Sequence, residues 1–181
     1  MKATGIVRRV DVLGRVVVPK EIRKIFNIEE GDPLEIFTEK DGIILKKYSP
    51  ISNMNGLCED VCIALNRATG RSVFVCDKDA FLSASGNGAK EIISKDISLQ
   101  LRQLISEKQT LHCAFEDGSC PIKLYEEDDI SYFNQLISPI THQGEGVGAL
   151  IIADRRKENK ISALDFELTN LAVTLLSARY K

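Results

Sequence analysis

The sequence predicts an α+β protein of two domains, and three observations lead to this fold class. Residues 1–50 alternate short β-branched runs with glycine and proline turns, and they include one short helical pattern. Residues 49–56 are largely polar and carry a proline and a glycine, which is typical of a domain boundary. Residues 57–181 alternate strand and helix patterns. We therefore predict a strand-rich domain at 1–50, a linker at 51–56 and an α/β domain at 57–181.

The first half of the N-terminal domain has the pattern of two strands and a helical turn. Residues 5–11 are rich in β-branched side chains and predict a strand, and residues 13–15 supply a glycine turn. The three valines at 16–18 predict a second strand, which ends at Pro19 because proline has no N–H to donate. Proline suits the first position of a helix, and the apolar spacing that follows predicts helical turns over 19–26.

The second half of the N-terminal domain predicts a β-hairpin. A turn at 30–33 leads into a strand at 34–38, and Asp41-Gly42 is a hairpin turn before a return strand at 43–48. A domain of about 50 residues buries too little surface to be stable without a metal, a disulfide or a partner, and this stretch contains no cysteine. We therefore expect the N-terminal domain to be a homodimer.

Charge is distributed unevenly along the N-terminal domain. Residues 1–28 carry seven basic and two acidic side chains, whereas residues 29–41 carry one basic and six acidic side chains. A basic face of this kind suits a phosphate backbone. Charge alone leaves open the alternative of an ordinary solvated surface, since the whole chain has a formal charge of only −2.

The segment ATGIVRRVDVLGRVVVPKEIRKIFNIEEGDPLEIF, followed by EKDGIILKKY, resembles the AbrB-type DNA-binding domain of transition-state regulators. The resemblance implies a swapped-hairpin β-barrel in which two chains interleave, with double-stranded DNA as the partner. It also implies that the DNA-contacting residues are Arg8, Arg15, Arg23 and Lys24, with Arg9 at lower weight. Lys24 stands where the family usually carries Arg, which keeps a phosphate contact but weakens a bidentate one.

The chain as a whole resembles a larger, sporulation-associated member of the same family. That resemblance implies control of late, forespore-stage genes, with both activation and repression, by a tetramer. Arg15 lies next to the Gly14 turn and could reach base edges, while phosphate contacts would dominate affinity.

The start of the C-terminal domain predicts a helix at 57–69 that ends at Gly70. Cys58 and Cys62 share one face of this helix and could hold a metal, but we interpret them as small buried apolar residues. A strand hairpin is predicted at 72–84, and the Gly-rich loop after it lacks the residues of a phosphate-binding motif. Two helical pieces over 91–105 and a short strand at 111–115 follow.

The remainder predicts the closing hairpin of a sheet and a last helix. Residues 133–141 predict a strand whose Pro139 indicates a sheet edge or a bulge, and the apolar run 147–153 predicts a central strand. This hairpin resembles the closing hairpin of a GAF-type sensor domain. The resemblance implies that the domain binds an unidentified small ligand or drives dimerisation, although some GAF domains bind nothing.

The last helix, at 162–181, begins with Ser162 and Asp165 in an approximate capping box. Its apolar residues are spaced by four and three, which is typical of a helix–helix seam: Leu164, Leu168, Leu171, Leu175 and Ala178. We expect this helix and the 57–69 helix to pair with their copies in another chain, giving a tetramer. A helix that packs only on its own domain is the alternative.

Composition and motifs exclude several classes of protein. The chain has no apolar run long enough to span a bilayer and no signal-peptide core at its N-terminus, so we expect a cytoplasmic protein without a membrane partner. Five cysteines without framework spacing are expected to be reduced thiols. We expect that the protein is not an enzyme and holds no metal or cofactor. If it had such chemistry, the candidate residues would be Cys76, His112, Cys113, Cys120 and His142.

Two alternatives remain open from the sequence. One is an antitoxin with the same DNA-binding fold, although such proteins usually end in a disordered toxin-binding tail. The other is a GAF-type thiol enzyme acting on oxidised methionine. Limited proteolysis distinguishes the antitoxin from a two-domain regulator, because a stable C-terminal fragment excludes a disordered tail.

Overall fold

A computed structural model describes residues 5–114, 118, 121–129 and 132–179 of the 181-residue chain. The chain divides into two compact units between Tyr48 and Ser49. None of the helices in the described residues has the length and apolar character needed to cross a bilayer.

The N-terminal unit contains one short helix and one β-hairpin. Helix α1 spans Lys20–Ile25, and strands β1 (Leu34–Glu39) and β2 (Gly42–Lys47) pair antiparallel. The hairpin was predicted within one residue at each end. Pro19 takes the N-cap position, so the helix begins one residue later than predicted. Gly31, in the turn before β1, has a φ of +87°, a conformation that favours glycine.

The predicted strands at 5–11 and 16–18 do not form in this structure, and that prediction is wrong for the single chain. A strand requires a ladder of backbone partners, and propensity alone does not supply one. At the loop between the two segments, the Asp11 N–H donates to the Arg15 carbonyl at 3.0 Å. The turn at Gly14, with a φ of +77°, forms as predicted.

The C-terminal unit begins earlier than the sequence indicated. Residues 51–56, predicted as a linker, form a 3₁₀ helix at Ile51–Met54 and the start of helix α2, which spans Asn55–Thr69. Ile51 is fully buried in the core. Gly70 ends α2 in the left-handed conformation, as predicted.

A five-stranded antiparallel sheet forms the centre of the C-terminal unit. In spatial order its strands are β4 (Phe81–Ser85), β3 (Ser72–Asp77), β7 (Glu145–Asp154), β6 (Asn134–His142) and β5 (Leu111–Cys113). Strand β7 is central, as its apolar run predicted. Pro139 lies beyond the short ladder with β5, and the register between β6 and β7 shifts nearby, between Ile140 and Thr141, which agrees with the predicted edge or bulge.

Helices cover both faces of this sheet. Helix α2 and helix α5 (Ala163–Ala178) pack on one face around Val73, Val75 and Leu150. Helices α3 (Ala89–Ile92) and α4 (Leu99–Glu107) pack on the other, around Phe74 and Cys76. Neighbouring residues of β3 alternate between the two cores, which is why the whole strand is buried.

A buried ion-pair network holds the N-terminus of α5 against the sheet. The Ser162–Asp165 capping box forms as predicted. The Arg71 Nε donates to Asp165 Oδ2 at 2.9 Å, and its Nη1 lies 3.5 Å from Asp154 Oδ2 on β7. The same guanidinium donates to the backbone carbonyl of Asn159 at 2.8 Å. Arg71 therefore joins the end of α2, strand β7 and α5.

Candidate nucleic-acid interface

The basic segment of the N-terminal unit is organised by one tight loop, residues 11–15. The Gly14 N–H donates to the Asp11 carbonyl at 3.0 Å, which closes a β-turn. The Asp11 carboxylate accepts three further bonds: Oδ1 from the N–H groups of Leu13 (2.9 Å) and Arg15 (2.8 Å), and Oδ2 from the Arg15 Nε (2.9 Å). Asp11 thus fixes both the backbone of the loop and the side chain of Arg15.

These bonds also set the charge of the loop. The backbone N–H of Arg15 contributes most, and the Arg15 guanidinium adds to it, in lowering the pKa of Asp11. The carboxylate therefore stays ionised at neutral pH. In the charge pattern of the sequence, Asp11 is only one negative charge. Asp and Gly three residues apart are also a recognisable turn signal, which predicts this loop.

The other sequence-predicted site residues lie on the exposed surface of the same unit. Arg8 and Arg9 precede the loop, and the Arg8 Nη1 donates to the carbonyl of Val7 at 3.1 Å. Arg23 and Lys24 occupy the last turn of α1. All five basic side chains are exposed, including Arg15 on the loop. They therefore belong to two local structures, the 11–15 loop with its approach and the end of α1.

The acidic half of the unit connects α1 to the hairpin. Lys47 at the end of β2 lies 3.1 Å from Asp32 and donates to the carbonyl of Asn27 at 2.7 Å. The Ile28 N–H donates to the Arg23 carbonyl at 2.8 Å, which closes the helix. These contacts hold the basic end of α1 beside the β1–β2 hairpin.

The N-terminal unit has no buried core of its own in residues 5–48, because each of these residues is exposed or only partly buried. Large apolar side chains on the loop, the helix and the hairpin remain accessible to solvent: Val7, Val12, Leu13, Ile25, Ile36 and Ile43. Isolated small units of this kind require a partner surface.

Three candidate residues of the C-terminal unit take packing positions: Cys76, His112 and Cys113. Burial raises the pKa of Cys76, whose Sγ lies 3.8 Å from the Ala149 carbonyl. Cys113 is buried, and the His112 ring packs edge-on against Phe166 of α5 at 4.8 Å. Cys120 lies outside the described residues.

Cys58 and Cys62 also lie in the core. Burial raises the pKa of Cys58 to about 11 and that of Cys62 to about 12. No group of three or more His, Cys, Asp or Glu with metal-binding geometry occurs in the part of the chain that the structure describes.

Two solved structures share the fold of the C-terminal unit. The GAF domain of an Acinetobacter phosphoenolpyruvate-protein phosphotransferase is 11% identical, with a TM-score of 0.56, covering 71% of this chain and 86% of that one. The type II free methionine-R-sulfoxide reductase of Thermoplasma acidophilum is 14% identical, with a TM-score of 0.55, covering 71% and 93%. The C-terminal unit therefore has a GAF-type fold, as the closing hairpin indicated.

Sequence relatives define the class of protein as a transcription regulator. Residues 53–180 match the family described as stage V sporulation protein T C-terminal, transcription factor, and residues 7–53 match the MazE bacterial antitoxin family. Transition state regulatory protein AbrB of Bacillus subtilis is 43% identical over 104 residues, which is 58% of this chain and 97% of that protein.

The particular family follows from a longer match. Stage V sporulation protein T of Bacillus subtilis is 42% identical over 153 residues, which is 84% of both chains. The chain therefore belongs to the stage V sporulation protein T family of transcription regulators, and the predicted resemblance to AbrB-type regulators is confirmed.

Proposed function

We propose that this protein binds double-stranded DNA in a sequence-specific manner through the exposed basic surface of its N-terminal unit. The observation that carries the proposal is the 11–15 loop, where a tight turn presents an exposed Arg15. The same unit carries four further exposed basic side chains: Arg8, Arg9, Arg23 and Lys24. Phosphate contacts by such side chains supply most of the affinity, and guanidinium contacts to base edges supply discrimination.

We also propose that the N-terminal unit functions as a dimer. Strand-forming segments at 5–11 and 16–18 lack a ladder in the single chain, and the apolar side chains of the unit are exposed. A second copy that interleaves its hairpins would supply both the missing ladder and the apolar cover. Two loops would then face the duplex together, which suits adjacent groove segments.

In the same proposal, the C-terminal unit joins dimers into a larger assembly, and its second role is to bind an unidentified small ligand. The exposed leucines of α5 support assembly into a tetramer through helices. Relationship to the Bacillus subtilis protein supports a role in sporulation, and we propose both activation and repression of late, forespore-stage genes.

An antitoxin-type autoregulator is the second candidate function, because residues 7–53 match the MazE antitoxin family. Residues 49–181 form a compact unit with a five-stranded sheet, and a disordered toxin-binding tail would not form such a unit. The buried Cys76, with its raised pKa, is also poorly suited to act as a catalytic nucleophile. We therefore favour a non-enzymatic regulator.

The proposed interface is tested with Arg15→Ala and a matched control, Lys40→Ala, in the full chain. Both variants remove one exposed positive charge from the same unit, but Lys40 lies in the turn between β1 and β2. We expect Arg15→Ala to weaken binding to a selected duplex by about 1–3 kcal/mol. The binding constant should also depend less on salt, with the slope of log K against log salt becoming less negative by about 1. Equal affinity of Arg15→Ala and wild type in a fluorescence-anisotropy titration would remove Arg15 from the interface.

A further inference from the structure

We propose that Asp11 is a positioning residue that determines DNA specificity, because its Oδ2 aims the Arg15 guanidinium while its Oδ1 fixes the loop. This inference rests on the DNA binding proposed above. The two carboxylate oxygens have separate partners: Oδ1 accepts from the backbone N–H groups of Leu13 and Arg15, and Oδ2 accepts from the Arg15 Nε at 2.9 Å. The loop and the side chain are thus held by different atoms of one residue.

The bond to Nε determines how Arg15 can meet DNA. A guanidinium offers donors along its Nε–Nη edge and at its Nη–Nη end. With Nε engaged by Asp11, the Nη–Nη end is left to meet a guanine edge or a phosphate. A free Arg15 would search many rotamers and both approaches, so the bond to Asp11 selects one geometry before DNA arrives.

Asp11 has an opposing electrostatic effect on affinity. A carboxylate on a surface that faces phosphates reduces non-specific attraction, because it cancels part of the basic charge. Asp11 should therefore weaken binding to random DNA while it strengthens the preference for a correct site. A residue that serves only as surface charge, or only as a loop former, would not produce this combination.

Substitution by asparagine separates the two functions of the carboxylate. In Asp11→Asn the amide oxygen can still accept from the N–H groups of Leu13 and Arg15, so the loop is retained. The amide nitrogen is a donor and cannot accept from the Arg15 Nε, so the side chain is released. Asp11→Ala removes both sets of bonds. The control is Glu21→Gln, which removes one exposed negative charge from the same basic segment, on α1.

The experiment uses the full chain and two duplexes: one that wild type selects from a random pool, and a scrambled duplex of equal length and base composition. Dissociation constants are measured for both at three salt concentrations. We expect Asp11→Asn to bind the scrambled duplex as tightly as wild type or more tightly. We expect the ratio of the two constants to fall by no more than about fivefold, because the Asp11–Arg15 ion pair is exposed to solvent. We expect Glu21→Gln to strengthen binding to both duplexes with an unchanged ratio.

The same measurements in an Arg15→Ala background complete the test. There Asp11→Asn should leave the ratio unchanged, because the side chain that Asp11 positions is absent. If Asp11→Asn keeps the wild-type ratio while wild type discriminates, or if it behaves like Glu21→Gln, Asp11 is not a positioning residue and the proposed DNA binding stands. If selection yields no duplex that wild type binds more tightly than its scrambled counterpart, the proposed sequence-specific function itself fails, and the role of Asp11 fails with it.

Discussion

The most informative perturbation outside the proposed DNA interface is a charge placed on the exposed leucine seam of α5. Leu164, Leu171 and Leu175 are 58%, 68% and 44% exposed, although they lie on a helix whose other face is buried. At about 100° per residue, this seam lies roughly a quarter turn from the core face, which carries Asp165 and Leu176. One helix therefore presents two apolar faces, of which the sheet covers one.

The free energy gained by covering the seam follows from the exposed fractions of its leucines. The three leucines together expose the equivalent of about 1.7 leucine side chains, and burying one leucine fully contributes about 1.5–3 kcal/mol. Covering the seam thus stabilises an assembly by about 2.5–5 kcal/mol per chain. Leu171→Asp removes the most exposed of the three and places a carboxylate in the seam, so we expect it to weaken self-association at least tenfold.

The assay is molar mass by light scattering and sedimentation velocity over a range of protein concentrations. Asn170→Asp is the matched control, because Asn170 is exposed on α5 but faces about 120° away from the seam. We expect wild type and Asn170→Asp to be tetramers and Leu171→Asp to be a dimer that retains DNA binding. If Leu171→Asp has the same mass as wild type at every concentration, the seam is not an interface and the reasoning is refuted.

Four further predictions concern stability and reactivity. The isolated fragment 1–48 should melt at a temperature that rises with protein concentration, as measured by circular dichroism, whereas a concentration-independent melting temperature would show that the unit folds without a partner. Arg71→Met should cost about 3–5 kcal/mol in urea unfolding, because it leaves the buried Asp165 carboxylate without its guanidinium partner. Burial alone would raise the pKa of Asp154, but the hydrogen bonds to its carboxylate outweigh burial and lower it. In urea unfolding at several pH values, the stability that this carboxylate contributes should be constant above about pH 5 and be lost progressively below about pH 4. Native Cys76 should resist iodoacetamide, in contrast to urea-unfolded protein, and rapid native labelling followed by mass spectrometry would contradict its burial.

Local signals predicted most of the C-terminal fold. The left-handed Gly70 ended α2, the Ser162–Asp165 pair began α5, and the apolar run of β7 identified the central strand. Each of these signals acts within a few residues of itself, so neighbouring sequence suffices to recognise it. The start of the unit was missed because Ile51 is buried by residues far along the chain, and no local pattern announces such burial.

The basic site was predicted only as a set of residue types. Sequence showed that Arg8, Arg15, Arg23 and Lys24 share a basic segment, and the structure places them on the 11–15 loop, its approach and the end of α1. The role of Asp11 in the loop depends on the position of each of its carboxylate oxygens. The order of charges along the sequence does not contain that information. The turn signal in Asp11–Gly14 would have indicated the loop, but not the bond to the Arg15 Nε.

The sequence by itself determined the regulator family, the α+β class and the bipolar charge of the N-terminal unit, because motifs, periodicity and charge are properties of residues in order. Tertiary structure alone decided which apolar faces are covered. It buried Leu176 against the sheet while leaving Leu171 on the same helix exposed, and it left the strand-forming segments at 5–11 and 16–18 without a ladder. The physical reason is that burial and strand pairing depend on partners distant in sequence, whereas propensity records only what each segment favours.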